Sequence, residues 1–290
     1  MFEFFVNLSR LTRPLSNVKN LAIIALAFFL SGAEFDLADV LIGFFSLSLV
    51  CSAVYGFNTL CDLKCDKDNK NKEHYTKAVT YFGKGVIYII LAALVIAGLL
   101  LGYYVDAYFV GGLLLLLIVG FLYSSPYTRF KEKILLDVIF GAILTYPLRF
   151  FAAWFIFELS FPPLLPIMGL AFAKAGGYMM YKELDRPFFV LQKIKNSITA
   201  LSKSANILLS SLFWLLAVAA FVLMCLGSRY FRSELWGYLP FRFLSLLPLI
   251  IPAIIVTYFK ALDRLTMSNN HLRVAGFAYF VLAIGLALVI

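Results

Sequence analysis

Oxygen-bearing side chains recur every four residues in the run Asn58-Thr-Leu-Cys-Asp62-Leu-Lys-Cys-Asp66. A helix turns once every 3.6 residues, so Asn58, Asp62 and Asp66 stack on one helical stripe, about a turn apart. Hard divalent cations take such ligands, and Mg²⁺ in particular is held by one or two carboxylates together with substrate phosphate oxygens. The stripe therefore predicts a Mg²⁺–diphosphate platform with Asn58, Asp62 and Asp66 as metal ligands. A solvated helix end carrying incidental acids between Lys64 and Lys67 is the competing explanation.

A second polar face is written in Lys174 and the run Tyr178-Met-Met-Tyr181-Lys182-Glu183-Leu-Asp185-Arg186. On a helix Lys174, Tyr178 and Lys182 share one stripe, and Tyr181 and Asp185 the adjoining one. A Lys deep in an apolar helix costs about 2.5–3.5 kcal/mol on insertion scales, so Lys174 requires a partner or a wet cavity, and a bound polyanion would supply one. Snorkelling to the interface is the alternative, and it suits Lys182 better than Lys174. Asp137 and Arg149 are further ions inside an apolar run; about 3.3 turns apart, they do not stack and each needs a partner on another helix, structural or substrate. Arg129, Lys131 and Lys133 either clamp phosphates or simply mark the cytoplasmic side. No Ser-His-Asp, Cys-His or Walker-type arrangement is present, and the two His, His74 and His271, fall in separate loops, which weakens hydrolytic and nucleotide-driven mechanisms.

The elements that carry these residues follow from composition. The 290 residues are 62% hydrophobic, 17% aromatic and only 14% charged, a balance outside the range of soluble globular domains. With a mean hydropathy of +0.91 the chain reads as an all-α integral membrane protein, a single domain over 1–290. Apolar runs predict nine transmembrane helices at roughly 19–34, 40–60, 84–105, 107–124, 134–157, 163–182, 206–227, 241–260 and 273–290. The first lacks a small-residue cleavage site and reads as a retained helix.

Of the 25 Lys and Arg, only Arg229, Arg232 and Arg242 fall on one side of this arrangement and Arg149 and Lys174 within spans; the other 20 share the opposite side. The positive-inside rule then places the N-terminus in the cytoplasm. The net charge of +9 is thereby mostly topology and implies no nucleic-acid partner. Polar connections at 61–83 and 183–205 share the cytoplasmic face and predict a site that opens there. Cys51, Cys61, Cys65 and Cys225 lack metal-ligand spacing and read as free thiols.

The pattern resembles the UbiA superfamily of intramembrane prenyltransferases, which carry two acidic motifs after the second and sixth of nine helices. The first family motif, Asn-Asp-x-x-Asp-x-x-x-Asp, is matched at Asn58, Asp62 and Asp66, with Thr59 in place of its first Asp. The second is contracted to Lys182, Glu183 and Asp185, followed by a similar downstream segment, Ile194 to Leu201. The resemblance implies a UbiA-like bundle around a central cavity and transfer of an isoprenyl group from a polyprenyl diphosphate to an aromatic or other small polar or lipid acceptor. It implies Mg²⁺ on Asn58, Asp62, Asp66, Glu183 and Asp185, catalytic roles for Asp62, Asp66, Lys182 and Asp185, and a diphosphate held by Asn58, Lys131, Lys174, Tyr178, Glu183 and Arg149.

Arg13-Pro14, Lys19-Asn20, the Asp137–Arg149 spacing and Glu183-Leu184 are also similar to a branch of this superfamily that moves phosphoribosyl onto a polyprenyl phosphate, although Met179-Met180 stands where that branch has a Lys-Arg pair. A transporter of polyanionic lipids and an inactive scaffold are the readings from other classes.

Overall fold

The computed structural model describes residues 2–66, 72–230 and 237–246, and among them every regular element is helical. Six stretches are long and apolar enough to cross a bilayer: Phe2–Ser31, Leu37–Leu63, Glu73–Val105, Ala107–Ser124, Leu136–Trp154 and Lys203–Gly227. Large apolar side chains such as Ile89, Leu100 and Leu208 are exposed along them, as a hydrocarbon solvent permits. Two compact units divide the chain, Met1–Pro162 and Pro163–Ile290.

The first unit opens with α1 (Phe2–Thr12), α2 (Pro14–Asn17) and α3 (Lys19–Ser31). Arg13 adopts left-handed geometry, φ 51°, and breaks α1 from α2, while Gly32 at φ 65° ends α3 as a glycine C-cap does. Next come α4 (Leu37–Asp66), α5 (Glu73–Val105) and α6 (Ala107–Ser124). Small residues let these helices approach closely, as membrane bundles require. The Ser46 hydroxyl donates to the Gly98 carbonyl at 2.7 Å across α4 and α5. A Cβ on Gly112 of α6 would lie 2.9 Å from the Cα of Ala152.

The polar stretch expected as a loop over 61–83 is mostly helix: α4 continues through Asp66, α5 starts at Glu73, and Gly83 at φ 72° kinks α5 just where the apolar span was expected to begin. The reason is an apolar edge hidden in that polar run. Leu60 and Val79 are buried with Leu11, Ala78, Ile87 and Leu91, and Leu63 and Phe82 pack against them.

The expected fifth span is broken into α7 (Leu136–Val138), a π-helical turn over Ile139–Ile143, and α8 (Thr145–Trp154). The wider turn changes the helical phase between Asp137 and Arg149.

In the second unit α9 (Leu164–Glu183) packs along α12 (Lys203–Tyr230). Twenty residues at about 1.5 Å each suffice to span a bilayer core. Yet α9 is not among the six most apolar stretches, because Lys174, Gly169, Gly176 and Gly177 dilute it. A Cβ on Gly176 would sit 2.8 Å from Trp214, and the Ser210 hydroxyl donates to the Gly176 carbonyl at 2.8 Å. The expected loop over 183–205 contains two short helices, α10 (Arg186–Leu191) and α11 (Ser197–Ala200). A reciprocal capping box between Asn196 and Thr199 starts the latter.

The expected eighth span begins in a 3₁₀ helix, Phe241–Leu246, and its remainder, the ninth span and His271 lie outside the described residues. All four cysteines are free thiols.

Candidate active site

The last turns of α4 carry the acidic stripe. Asp62 and Asp66 are 7% and 6% exposed, so neither is a solvated helix end. Lys131, itself 7% exposed, forms an ion pair with Asp62. It is delivered by a 3₁₀ turn over Phe130–Glu132 that Arg129 enters in left-handed geometry, φ 41°. Lys72 pairs with Asp66 at 2.8 Å. Asn58 is partly buried and accepts a hydrogen bond from the Ser124 hydroxyl at 2.9 Å.

Burial pushes the Asp66 carboxyl above the ordinary carboxylate range, and the Lys72 ammonium pulls it back only in part. Arg129 is held protonated by its hydrogen bond with Glu132, with Asp62 adding to the field around it. Desolvating a carboxylate costs several kcal/mol, which each Lys offsets by direct contact. No group of three His, Cys, Asp or Glu converges among the described residues. The chain thus offers two buried carboxylates a helical turn apart, a donor set that fits Mg²⁺ when phosphate oxygens complete its shell.

The second-unit residues are placed on α9 and just beyond it. Lys182 lies over the Tyr178 and Phe189 rings, 5.6 and 4.9 Å from their centroids. Tyr178 is buried, Lys174 partly buried about one turn earlier, and Tyr181 exposed. Glu183 is fully engaged: it accepts from Arg186 Nε at 2.6 Å, Arg186 Nη2 at 2.8 Å and Asn206 Nδ2 at 2.6 Å. A metal reaching Glu183 has to displace Arg186. Asp185 contrasts with it, for the residue is 6% exposed and its side chain forms no ion pair or cap among the described residues.

Arg149 does not join the acidic stripe. At 5% exposed, it donates from Nη1 to Asn20 at 2.9 Å on α3 and from Nη2 to the Tyr55 hydroxyl at 2.7 Å on α4. Lys19 lies 5.8 Å from the centroids of both Tyr55 and Tyr146, and Arg149 5.7 and 5.6 Å from the same two rings. Arg13 donates to the Thr59 hydroxyl at 2.7 Å and stacks 3.7 Å over Tyr75.

Lys72, Arg13, Lys19, Asn20 and Tyr55 were absent from the residues expected at a site. Lys72 is hidden because its six-residue offset from Asp66 fits no helical stripe. For Arg13 and Lys19 the one signal was their similarity to the phosphoribosyl-transferring branch.

The UbiA prenyltransferase family model matches residues 20–267, most of the chain. The chain belongs to the UbiA prenyltransferase family. Among solved structures, a UbiA homologue from Archaeoglobus fulgidus bound to GPP and Mg²⁺ is similar at 20% identity and TM-score 0.76, covering 96% of this chain and 97% of that one. An apo UbiA homologue from Aeropyrum pernix K1 matches at 17% identity and TM-score 0.70, with 98% of each chain covered. A digeranylgeranylglyceryl phosphate synthase matches at 16% identity and TM-score 0.63, covering 99% of this chain and 96% of that one. No curated protein matches the sequence at a significant level. At these identities the structures establish the UbiA fold; with the apolar helices and the family match, the protein is an integral membrane prenyltransferase-family member.

Proposed function

We propose that this UbiA-family protein is a Mg²⁺-dependent intramembrane enzyme that transfers an isoprenyl group from a polyprenyl diphosphate to an aromatic or other small polar acceptor. The observation that carries this reading is the pair of buried carboxylates on α4, each neutralised by a Lys that can exchange its partner. Solved relatives bound to Mg²⁺ with GPP or with DMAPP support it at the level of the fold.

Asp62 and Asp66 would hold the ion, with Asn58 orienting the cluster from one turn deeper. Bound there, Mg²⁺ supplies positive charge where the departing diphosphate accumulates negative charge. The chain's own residues do the rest. Lys131 and Lys72, released from their carboxylates, turn to the phosphate oxygens and stabilise the leaving group in a site shielded from water. Lys174, Tyr178 and Lys182 are further diphosphate ligands in this proposal, on the strength of their shared face of α9. Asp185, buried and unpaired, is the second-motif carboxylate available to a cation, and Glu183 holds the end of α9 in place through Arg186 and Asn206. We place the whole chain in one functional domain of nine spanning helices, with the N-terminus and the polar connections facing the cytoplasm, as the distribution of Lys and Arg favours.

Phosphoribosyl transfer to a polyprenyl phosphate is a second reading, favoured by one observation: Arg13, Lys19, Asn20 and Arg149, residues of that resemblance, gather around Tyr55 and Thr59.

Purified protein incubated with Mg²⁺, a radiolabelled prenyl diphosphate and an acceptor panel tests the proposal. A labelled covalent product is expected, and Asp62→Ala and Asp66→Ala should abolish it while remaining folded in detergent. Full activity in either variant sinks the assignment, and saturable binding without any product would point to a transporter or scaffold.

A further inference from the structure

A groove of about 510 Å³ lies between α1 and the first turns of α5. Helical spacing writes both walls. Glu3, Asn7 and Arg10 follow one another at four and three residues on α1, and Thr76 and Thr80 at four on α5, with Lys77 beside them.

The wall groups have spare capacity of a definite kind. Asn7 is committed within α1, for its Nδ2 donates to the Glu3 carbonyl at 3.0 Å and its Oδ1 accepts from Arg10 Nη1 at 3.1 Å. That bond engages one of the five guanidinium donors, and Arg10 forms no ion pair among the described residues. Lys77 pairs with Glu73 at 2.7 Å in an exposed contact that solvent screens. The Glu3 carboxylate has no ion-pair partner among the described residues. The Thr76 and Thr80 hydroxyls donate to the Glu73 and Thr76 carbonyls at 2.9 and 3.1 Å, which leaves their oxygen lone pairs for a ligand. Donors therefore come from Arg10 and Lys77, and acceptors from Glu3, Thr76 and Thr80. With Glu3 and Glu73 set against Arg10 and Lys77 the local charges cancel, so a zwitterion matches the groove better than a net anion. Arg10 lies about 10 Å along α1 from Glu3, close enough for the two side chains to bracket a small head group.

Position indicates where that head group comes from. Gly83 kinks α5 where its polar first turns give way to an apolar run, and Ile89 and Ile96 beyond it are exposed. Phe2 and Tyr81 at the rim of the groove are exposed as well, and Phe4 meets Phe82 between the two helices with ring centroids 5.5 Å apart. Charged walls beside aromatic rings, just outside an apolar run, mark the head-group level of a bilayer. A lipid seated there keeps its head among charges and its tails in hydrocarbon.

We propose that this groove binds one zwitterionic phospholipid, a phosphatidylethanolamine, with its phosphate on Arg10 and Lys77 and its ammonium on Glu3 and the Thr76 and Thr80 oxygens. A primary ammonium supplies N–H donors to those acceptors. A quaternary ammonium has none and needs an aromatic cage, which Phe2, 82% exposed, does not close. Lipid binding here is independent of the reaction the protein performs. It bears on the acidic stripe only by position: Leu11, next to Arg10, is buried against Leu60, two residues before Asp62, so a lipid that seats α1 also braces the end of α4.

The test is native mass spectrometry of the full-length, delipidated protein in detergent, titrated separately with dioleoyl phosphatidylethanolamine, phosphatidylcholine and phosphatidylglycerol. One saturable phosphatidylethanolamine adduct is expected, tighter than either other lipid by about threefold or more. Arg10→Gln should weaken it about tenfold, the weight of one charge-assisted hydrogen bond, and Glu3→Gln, at a more exposed position, about threefold, with loss of the preference over phosphatidylcholine. Lys84→Gln, exposed on α5 outside the groove, should keep wild-type affinity. Should Arg10→Gln fail to fold, Glu3→Gln decides alone. Tighter binding of phosphatidylglycerol overturns the zwitterion match, and equal binding of phosphatidylcholine overturns the ammonium contact. No saturable adduct, wild-type affinity in Glu3→Gln, or an equal loss in Lys84→Gln overturns the site as a whole.

Discussion

Lys131→Met isolates the ion pair on which the proposed metal site depends. Both partners are buried, at 7% exposure each, so solvent screens little of their interaction. Methionine keeps most of the lysine's length and removes its charge, leaving Asp62 desolvated with no cation in contact. Removing one partner of a buried pair costs about 3–5 kcal/mol, whereas replacing both by neutral groups of similar shape is often nearly neutral. The single variant should therefore lose roughly 6–20 °C of apparent melting temperature at about 2–4 °C per kcal/mol, and Lys131→Met combined with Asp62→Asn should recover most of that loss. If Lys131 occupies the place a metal takes beside Asp62, added Mg²⁺ should stabilise Lys131→Met by more than it stabilises the wild type. Thermal unfolding in detergent, followed by intrinsic fluorescence with either EDTA or Mg²⁺ and at one scan rate, reads all three quantities. Equal melting temperatures for the single and double variants, together with no additional Mg²⁺ response, would refute both the coupling and the metal site built on it.

Asp66 gives a pH signature. Its folded-state carboxyl titrates above the unfolded value of about 3.9, so its contribution to stability is fully present below that value and is lost as pH rises through the folded one. In EDTA, Asp66→Asn should consequently exceed the wild type in stability at neutral pH, with the gap closing on acidification; a gap independent of pH would contradict this. Glu183→Gln weakens the bidentate contact with Arg186 and should cost about 1.5–3 kcal/mol of stability but less turnover than Asp62→Asn. Equal losses of turnover would place Glu183 on the metal itself. Gly176→Ala forces a methyl group into Trp214 and should cost about 1–3 kcal/mol, read by chemical denaturation; an unchanged midpoint would show that α9 and α12 do not pack as described.

The legible features were those whose physics is local. Asn58, Asp62 and Asp66 could be read as one stripe because helical periodicity alone sets their spacing, and α4 stays helical through Asp66. The third apolar span, expected to start at residue 84, was not delimited correctly, for α5 runs from Glu73 and Gly83 only kinks it. What could not be read depends on contacts between distant segments. Lys131 meets Asp62 across 69 positions and Arg149 meets Asn20 across 129, and nothing in the local pattern distinguishes these cations from those that merely mark membrane topology. Polar composition over 61–83 likewise concealed helix, since Leu60, Leu63, Val79 and Phe82 supply an apolar edge too sparse to register as a span but sufficient to pack.

Charge along α4 links these contacts to chemistry. At its end, two carboxylates are each matched by a Lys, so the stripe is close to neutral before any ligand arrives. A metal dication entering with a diphosphate roughly preserves that balance, because the incoming charges largely cancel and the lysines need only change partners. Beside Tyr55, deeper along that helix, Arg13, Lys19 and Arg149 meet hydroxyl, amide and ring partners instead of carboxylates, with Arg13 stacked 3.7 Å over Tyr75. Keeping three cations in an apolar surround costs several kcal/mol, which ring faces and neutral hydrogen-bond acceptors offset in part.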